Sequence, residues 1–141
     1  MKVGATLNKI EVSLRIMGQE LVPCEVTKLL GCEPDEAFTK GHLLSERSGA
    51  RARQGLWSVT SREAGGEGLS ANICRLLART TSDPGIWRSL TRTFECDVLV
   101  GGWASTENPM MSLSREALSA LVARELSLEF DLYVSVRTSD E

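Results

Sequence analysis

Residues 114–136 read SREALSALVARELSLEFDLYVSV, and two different periodicities meet inside them. Ala117, Leu118, Leu121, Val122 and Leu126 recur at three- and four-residue intervals, which is the continuous apolar stripe of an amphipathic helix. Ser112 or Ser114 stands where a hydroxyl can cap its first turn. From Leu128 the period drops to two: Leu128, Phe130, Leu132, Val134 and Val136 alternate with Glu129, Asp131, Tyr133 and Ser135, as in a strand buried on one side only. A sheet with helices on both faces would instead show strands as continuous apolar runs. This stretch therefore predicts helices on one face of a sheet whose other face meets water or a partner.

Working outward, the same alternation recurs three times. Residues 94–100 set Phe94, Cys96, Val98 and Val100 against Glu95, Asp97 and Leu99, and Gly101-Gly102 is expected to end or bulge that strand. Residues 56–61 set Trp57 and Val59 against Ser58 and Thr60, followed by a glycine-rich turn over 62–68. Residues 9–16 set Ile10, Val12, Leu14 and Ile16 against Glu11, Ser13 and Arg15, with a turn over 17–20. Between these strands, Pro23 is placed at the first position of a helix carrying Val26, Leu29 and Leu30, and Gly31 closes it in a left-handed conformation. Leu69, Ile73, Leu76 and Leu77 mark a second helix. It breaks over 80–82 and restarts at Asp83-Pro84 with Ile86, Trp87 and Leu90. Residues 32–55 show no periodicity and read as one long loop, the first place to look for a site.

The order β-α-β-α-β-α-β, with its second helix broken in two, predicts the α+β class. The expected form is a two-layer α/β sandwich: a four-stranded antiparallel or mixed sheet with helices on one face, ferredoxin-like in its split β-α-β units. Strand order is not legible at this level.

Composition bounds the rest. The chain has 141 residues, 42% hydrophobic and 25% charged, with 16 Lys and Arg against 19 Asp and Glu for a formal charge of -3. That is the profile of a single domain spanning 1–141, with an ordered core expected over 9–136. No basic excess favours nucleic acid, and no apolar run approaches the roughly 18 residues of a membrane span. Neither partner is expected. The first residues lack the apolar core of a secretory signal. Cys24, Cys32, Cys74 and Cys96 are irregularly spaced, without a CxxC pair, and His42 is the lone histidine. They read as reduced, buried thiols of a cytoplasmic protein, and no metal or other cofactor is expected.

Several of these residues also resemble a known family. Leu14-Arg15-Ile16-Met17-Gly18, the helix Pro23-Cys24-Glu25-Val26-Thr27-Lys28-Leu29-Leu30-Gly31, then Pro34, Phe38 and Lys40-Gly41 are similar to the N-terminal half of the domain of unknown function 4279 family. Trp57, the Leu113-Ser114 helix entry and the segment Leu126-Ser127-Leu128-Glu129-Phe130-Asp131-Leu132-Tyr133 extend the resemblance over about residues 10–134. It implies a small, mostly bacterial domain with no assigned reaction, cofactor or catalytic residues. Where the family more often has Trp, this chain has Phe38. That exchange is tolerable if the ring only packs, and not if an indole N–H held a ligand.

Two candidate surfaces emerge. The segment 40–53 carries Lys40, His42, Arg47, Arg51 and Arg53 against Glu46 alone, a basic patch that is either a solvated loop or a site for carboxylate, phosphate or an acidic partner. His42 has no matched nucleophile or metal partner in the sequence. The second surface is the polar sheet face: Glu11, Ser13, Arg15, Ser58, Thr60, Glu95, Asp97, Glu129, Asp131 and Tyr133. Its carboxylates would pair with Arg15 and Arg137 on an open sheet, or could hold a divalent ion. Asp97, Asp131 and Tyr133 join the basic loop as candidate ligand-binding residues. Trp57 and Trp87 are expected in the core and Trp103 at the surface. The nucleotide, hydrolase and metal motifs GxGxxG, Walker, GxSxG, HExxH and EF-hand are absent.

The functional expectation is a non-catalytic protein-interaction or immunity-type module with a protein partner, and a homodimer is compatible with an open sheet. An anionic-ligand-binding domain using loop 40–53 is the alternative. A metal-assisted hydrolase built on Glu95, Asp97 and Asp131 ranks last.

Overall fold

The computed structural model describes residues 9–63, 68–104 and 110–134. Residues 64–67 of the glycine-rich turn, Asn108-Pro109, Ser135, Val136 and Arg137 lie outside the described residues, whereas Arg62 and Glu63 belong to a strand and Gly68 opens a helix. The chain is α+β, built of five strands and four helices: β1 (Lys9–Gly18), α1 (Pro23–Leu30), β2 (Glu36–Phe38), β3 (Gly55–Glu63), α2 (Gly68–Ala78), α3 (Pro84–Thr93), β4 (Glu95–Ala104), α4 (Arg115–Ala123) and β5 (Ser127–Val134).

One mixed sheet runs in the order β2-β3-β1-β4-β5. β1 lies at its centre, antiparallel to both β3 and β4; β2 is antiparallel to β3, and β5 is parallel to β4. Each of the pairs β1/β2 and β3/β4 runs parallel with an antiparallel strand between its members, so the first part of the chain forms two interlocked split β-α-β units. α4 and β5 then add a parallel strand to the β4 edge, by the helical crossover that a parallel neighbour requires.

Four expectations change here. The sheet has five strands, not four, because β2 forms inside the stretch read as loop; its three residues are too short to show a period. Gly101-Gly102 neither ends nor bulges β4, since Gly101 pairs with Glu11 and Gly102 with Ile10 in unbroken register. The apolar stripe of α4 is not all core: Ala117 and Leu121 are buried, whereas Leu118 and Val122 are exposed. The four cysteines are free thiols, with Cys24 exposed rather than buried.

The core forms as the alternation requires. Ile10, Val12, Leu14 and Ile16 of β1, Trp57 and Val59 of β3, and Val98 and Val100 of β4 are buried in one cluster with Val26, Leu30, Ile73, Leu76, Leu77, Trp87, Leu90 and Leu121 from the four helices. Both buried indoles satisfy their N–H: Trp57 Nε1 donates to Thr27 Oγ1 at 3.0 Å and Trp87 Nε1 to the Thr81 carbonyl at 2.7 Å. Helix ends follow local chemistry. Gly31 takes φ 70° at the end of α1, Asp83 caps α3 through the Gly85 N–H, and Ser114 caps α4 through the Ala117 N–H. After α4, Arg124 donates to the carbonyls of Ala120 and Leu77 and lies over the Trp87 ring, tying α4 to α2 and α3.

Candidate functional site

With all the helices on one side, the other sheet face carries the remaining residue of each alternating pair. Register sets them in rows. Arg15 lies between Ser58 and Asp97, Ser13 between Thr60 and Leu99, Glu11 between Arg62 and Gly101, and Met17 between Leu56 and Glu95. β2 extends two of these rows, with Glu36 opposite Ser58 and Phe38 opposite Leu56.

The segment 39–54 is itself ordered by short-range hydrogen bonds. Gly41 N–H donates to the Ala52 carbonyl at 2.9 Å, Ala52 N–H to His42 at 2.8 Å, and Leu44 N–H to Ala50 at 2.7 Å. The resulting hairpin-like arch bends over the open face near β3. Leu44, Ala52, Arg53 and Gln54 from the arch close a groove of about 530 Å³ against Glu11, Ser13, Arg15, Met17, Glu36, Phe38, Leu56, Ser58, Thr60, Arg62 and Leu99. Its volume falls in the range of small-molecule and peptide sites.

Most of the polar groups in the groove are already satisfied by one another. Arg15 and Asp97 form a two-pronged pair, Nε to Oδ1 at 2.8 Å and Nη2 to Oδ2 at 2.7 Å. This bond, above all, raises the Arg15 pKa above its usual value; partial burial opposes the rise, and the charges of Asp97, Glu129 and Glu95 reinforce it. Arg62 donates to Glu11 at 2.5 Å, and its pKa is raised by that bond. The hydroxyls of Ser13 and Thr60 share a hydrogen bond at 2.9 Å, and the Asp35 carboxylate accepts the Thr60 N–H at 2.8 Å. Arg53 and Glu36 have no ion-pair partner among the described residues. The groove thus combines apolar patches from Met17, Phe38, Leu44, Leu56 and Leu99 with one available cation and one available anion.

The sequence-predicted residues divide. Arg53 lines the groove, and Asp97 reaches it through Arg15. Lys40 turns to Gln19, at 3.3 Å, and Arg51 donates to the Gly41 carbonyl at 3.0 Å, so both brace the arch. His42 stacks on Phe38, centroids 5.2 Å apart, on the outer side of the groove wall. Arg47 is exposed at the tip of the arch. Asp131 and Tyr133 lie on the same open face but away from the arch, at the β5 edge, where the Tyr133 hydroxyl donates to Asp131 at 3.3 Å and its ring stacks on Trp103. Sequence reasoning missed Met17, Leu44, Leu56 and Leu99. Parity along the strands signals that Met17, Leu56 and Leu99 share the polar face; nothing local signals that Leu44 reaches it. Among the described residues no three His, Cys, Asp or Glu side chains stand together as metal ligands, and no helix is long and apolar enough to cross a membrane.

Fold and groove together define a class: an α+β protein that holds a preorganised surface on the sheet face bare of helices. Residues 8–135 match the family described as Domain of unknown function (DUF4279), and the chain belongs to that family. No curated protein and no solved structure shows significant similarity to it.

Proposed function

We propose that this protein is a non-catalytic interaction module, of the kind an accessory or immunity-type protein uses to hold a partner, and that the arched groove receives an extended segment of that partner. One observation carries this reading: the groove's main charges are spent in internal pairs, leaving apolar patches flanked by Arg53 and Glu36. Internally paired ions position a surface without being free to perform acid–base work, and apolar patches with a few convergent polar groups suit recognition. The ferredoxin-like arrangement leaves one sheet face bare for this purpose.

The test is affinity capture from the source cell with the full chain, compared with Leu44→Asp and Leu99→Arg in the groove and Arg79→Glu far from it. The expected result is a partner retained by the parent and by Arg79→Glu and lost with both groove variants. Capture of nothing, or of a partner indifferent to the groove variants, overturns the reading.

Arg53 favours a second reading, a small anion held at the mouth of the groove. Its signature is thermal stabilisation of the parent by a phosphate, nucleotide or carboxylate that Arg53→Ala abolishes.

A further inference from the structure

β5 is the outermost strand on one side of the sheet. Among the described residues its backbone pairs with β4 alone, so the N–H and C=O groups of its outer edge are open over the length of Ser127–Val134. The opposite edge is different, because β2 is only three residues long and the arch continues from it. β5 contains no Pro and no Lys, two of the residues with which open edges are commonly blunted.

Its two faces have distinct chemistry. Toward the helices, Phe130 is 45% exposed although it occupies the core side of the strand, between the half-buried Leu128 and Leu132. Leu118 and Val122 of α4 are also exposed, at 45% and 74%. Their position follows from helical geometry. Ala117 and Leu121 face the core, and Leu118 and Val122, each one residue further on and so about 100° around the helix, face outward. Toward the open face, β5 presents Glu129 and Asp131, both exposed and free of ion pairs among the described residues.

These features decide between occupants. A second copy pairing through β5 by a two-fold axis centred on Glu129, Phe130 or Asp131 would set Glu129 opposite itself, Glu129 opposite Asp131, or Asp131 opposite itself. Like charges directly across a strand pair are destabilising. An added strand with Lys or Arg at alternate positions meets the two carboxylates, and its intervening apolar residues cover Phe130. We infer that the β5 edge is a strand-addition site for an extended protein segment in which basic and apolar residues alternate. This is a second surface, independent of the groove.

The probe is an acetylated, amidated heptapeptide of alternating valine and lysine, titrated into the isotope-labelled full chain and followed by amide NMR shifts and hydrogen exchange. Shifts and slowed exchange confined to β5 are expected. The valine–glutamate counterpart should leave β5 unchanged, and the double change Glu129→Gln with Asp131→Asn should weaken binding about fivefold, two cross-strand charge pairs at their usual strength. No change at β5 overturns the inference. So does undiminished binding of a peptide N-methylated at alternate amides, which would mean ionic adsorption without strand pairing. Concentration-dependent self-association that protects β5 amides without peptide would assign the edge to a second copy and equally overturn it.

Discussion

Cys96 shows how far one side chain's chemistry depends on where its strand lies. It sits on the core side of β4, and burial, helped by the negative charge of Asp97, pushes its thiol pKa from 9.0 up to about 12. The unfolded thiol ionises first as pH rises, so the native state, which keeps its proton, loses relative stability from about pH 9 toward 12. Cys96→Ala should remove that part of the alkaline slope in chemical denaturation. Alkylation near pH 8.5 should modify the exposed Cys24 in the native protein and reach Cys96 only after unfolding, as read by peptide mass spectrometry. Gly55 is constrained differently. A Cβ there would lie 3.1 Å from the Phe38 carbonyl and 3.2 Å from the Gly18 carbonyl, backbone atoms of the strands on either side of it. Neither can retreat alone, and Gly55→Ala should lower the unfolding free energy by about 1–3 kcal/mol in urea titration. The sequence marks Gly55 only as a loop residue, because the atoms that exclude a side chain, these two carbonyls and the Leu21 Cβ at 3.1 Å, come from distant parts of the chain.

At the scale of elements, the helices were the most legible. Pro23, Gly31, Asp83-Pro84 and Ser114 stand at the termini where their backbone preferences place them, and the break between α2 and α3 includes Thr80 to Ser82, which interrupt the apolar period. Caps act within one turn, so they can be read without the fold. The α4 terminus adds a tertiary link: Ser70 of α2 accepts the Ser114 N–H at 2.8 Å and donates to the Ser112 carbonyl at 3.3 Å. Ser114→Ala should cost about 1 kcal/mol, measured as a shift of the denaturation midpoint. β2 was illegible because three residues cannot display an alternation, and it forms only because β3 offers it a partner. The α4 stripe was read correctly as apolar, but periodicity cannot say which of its residues stay exposed.

For the whole molecule, strand order sets both stability and surface. β1 is hydrogen-bonded along both edges and buried on one face, while β2 and β5 are bonded along one. Native-state hydrogen exchange should therefore be slowest in β1 and fastest, among the strands, in β2 and β5; uniform protection across the sheet would contradict this architecture. The same order creates the candidate site. The basic segment 40–53 and the acidic strand faces, distant in sequence, meet on one side of the sheet, with the arch over β3 and the carboxylates of β4 and β5 beyond it. Of the eight candidate residues named from sequence, Arg53 lines the groove and Asp97 acts there through Arg15. The rest brace the arch, stack against its wall or lie elsewhere on the face. By itself the sequence determined the helices, the longer strands and which side of each strand is apolar, because dihedral preference, capping and side-chain alternation operate over a few residues. Only the tertiary structure decided that Arg15 would meet Asp97, that Leu44 would close a groove and that β5 would be left with an open edge. Neighbours across a sheet are chosen by chain crossovers and by the packing of distant apolar faces, which no local period encodes.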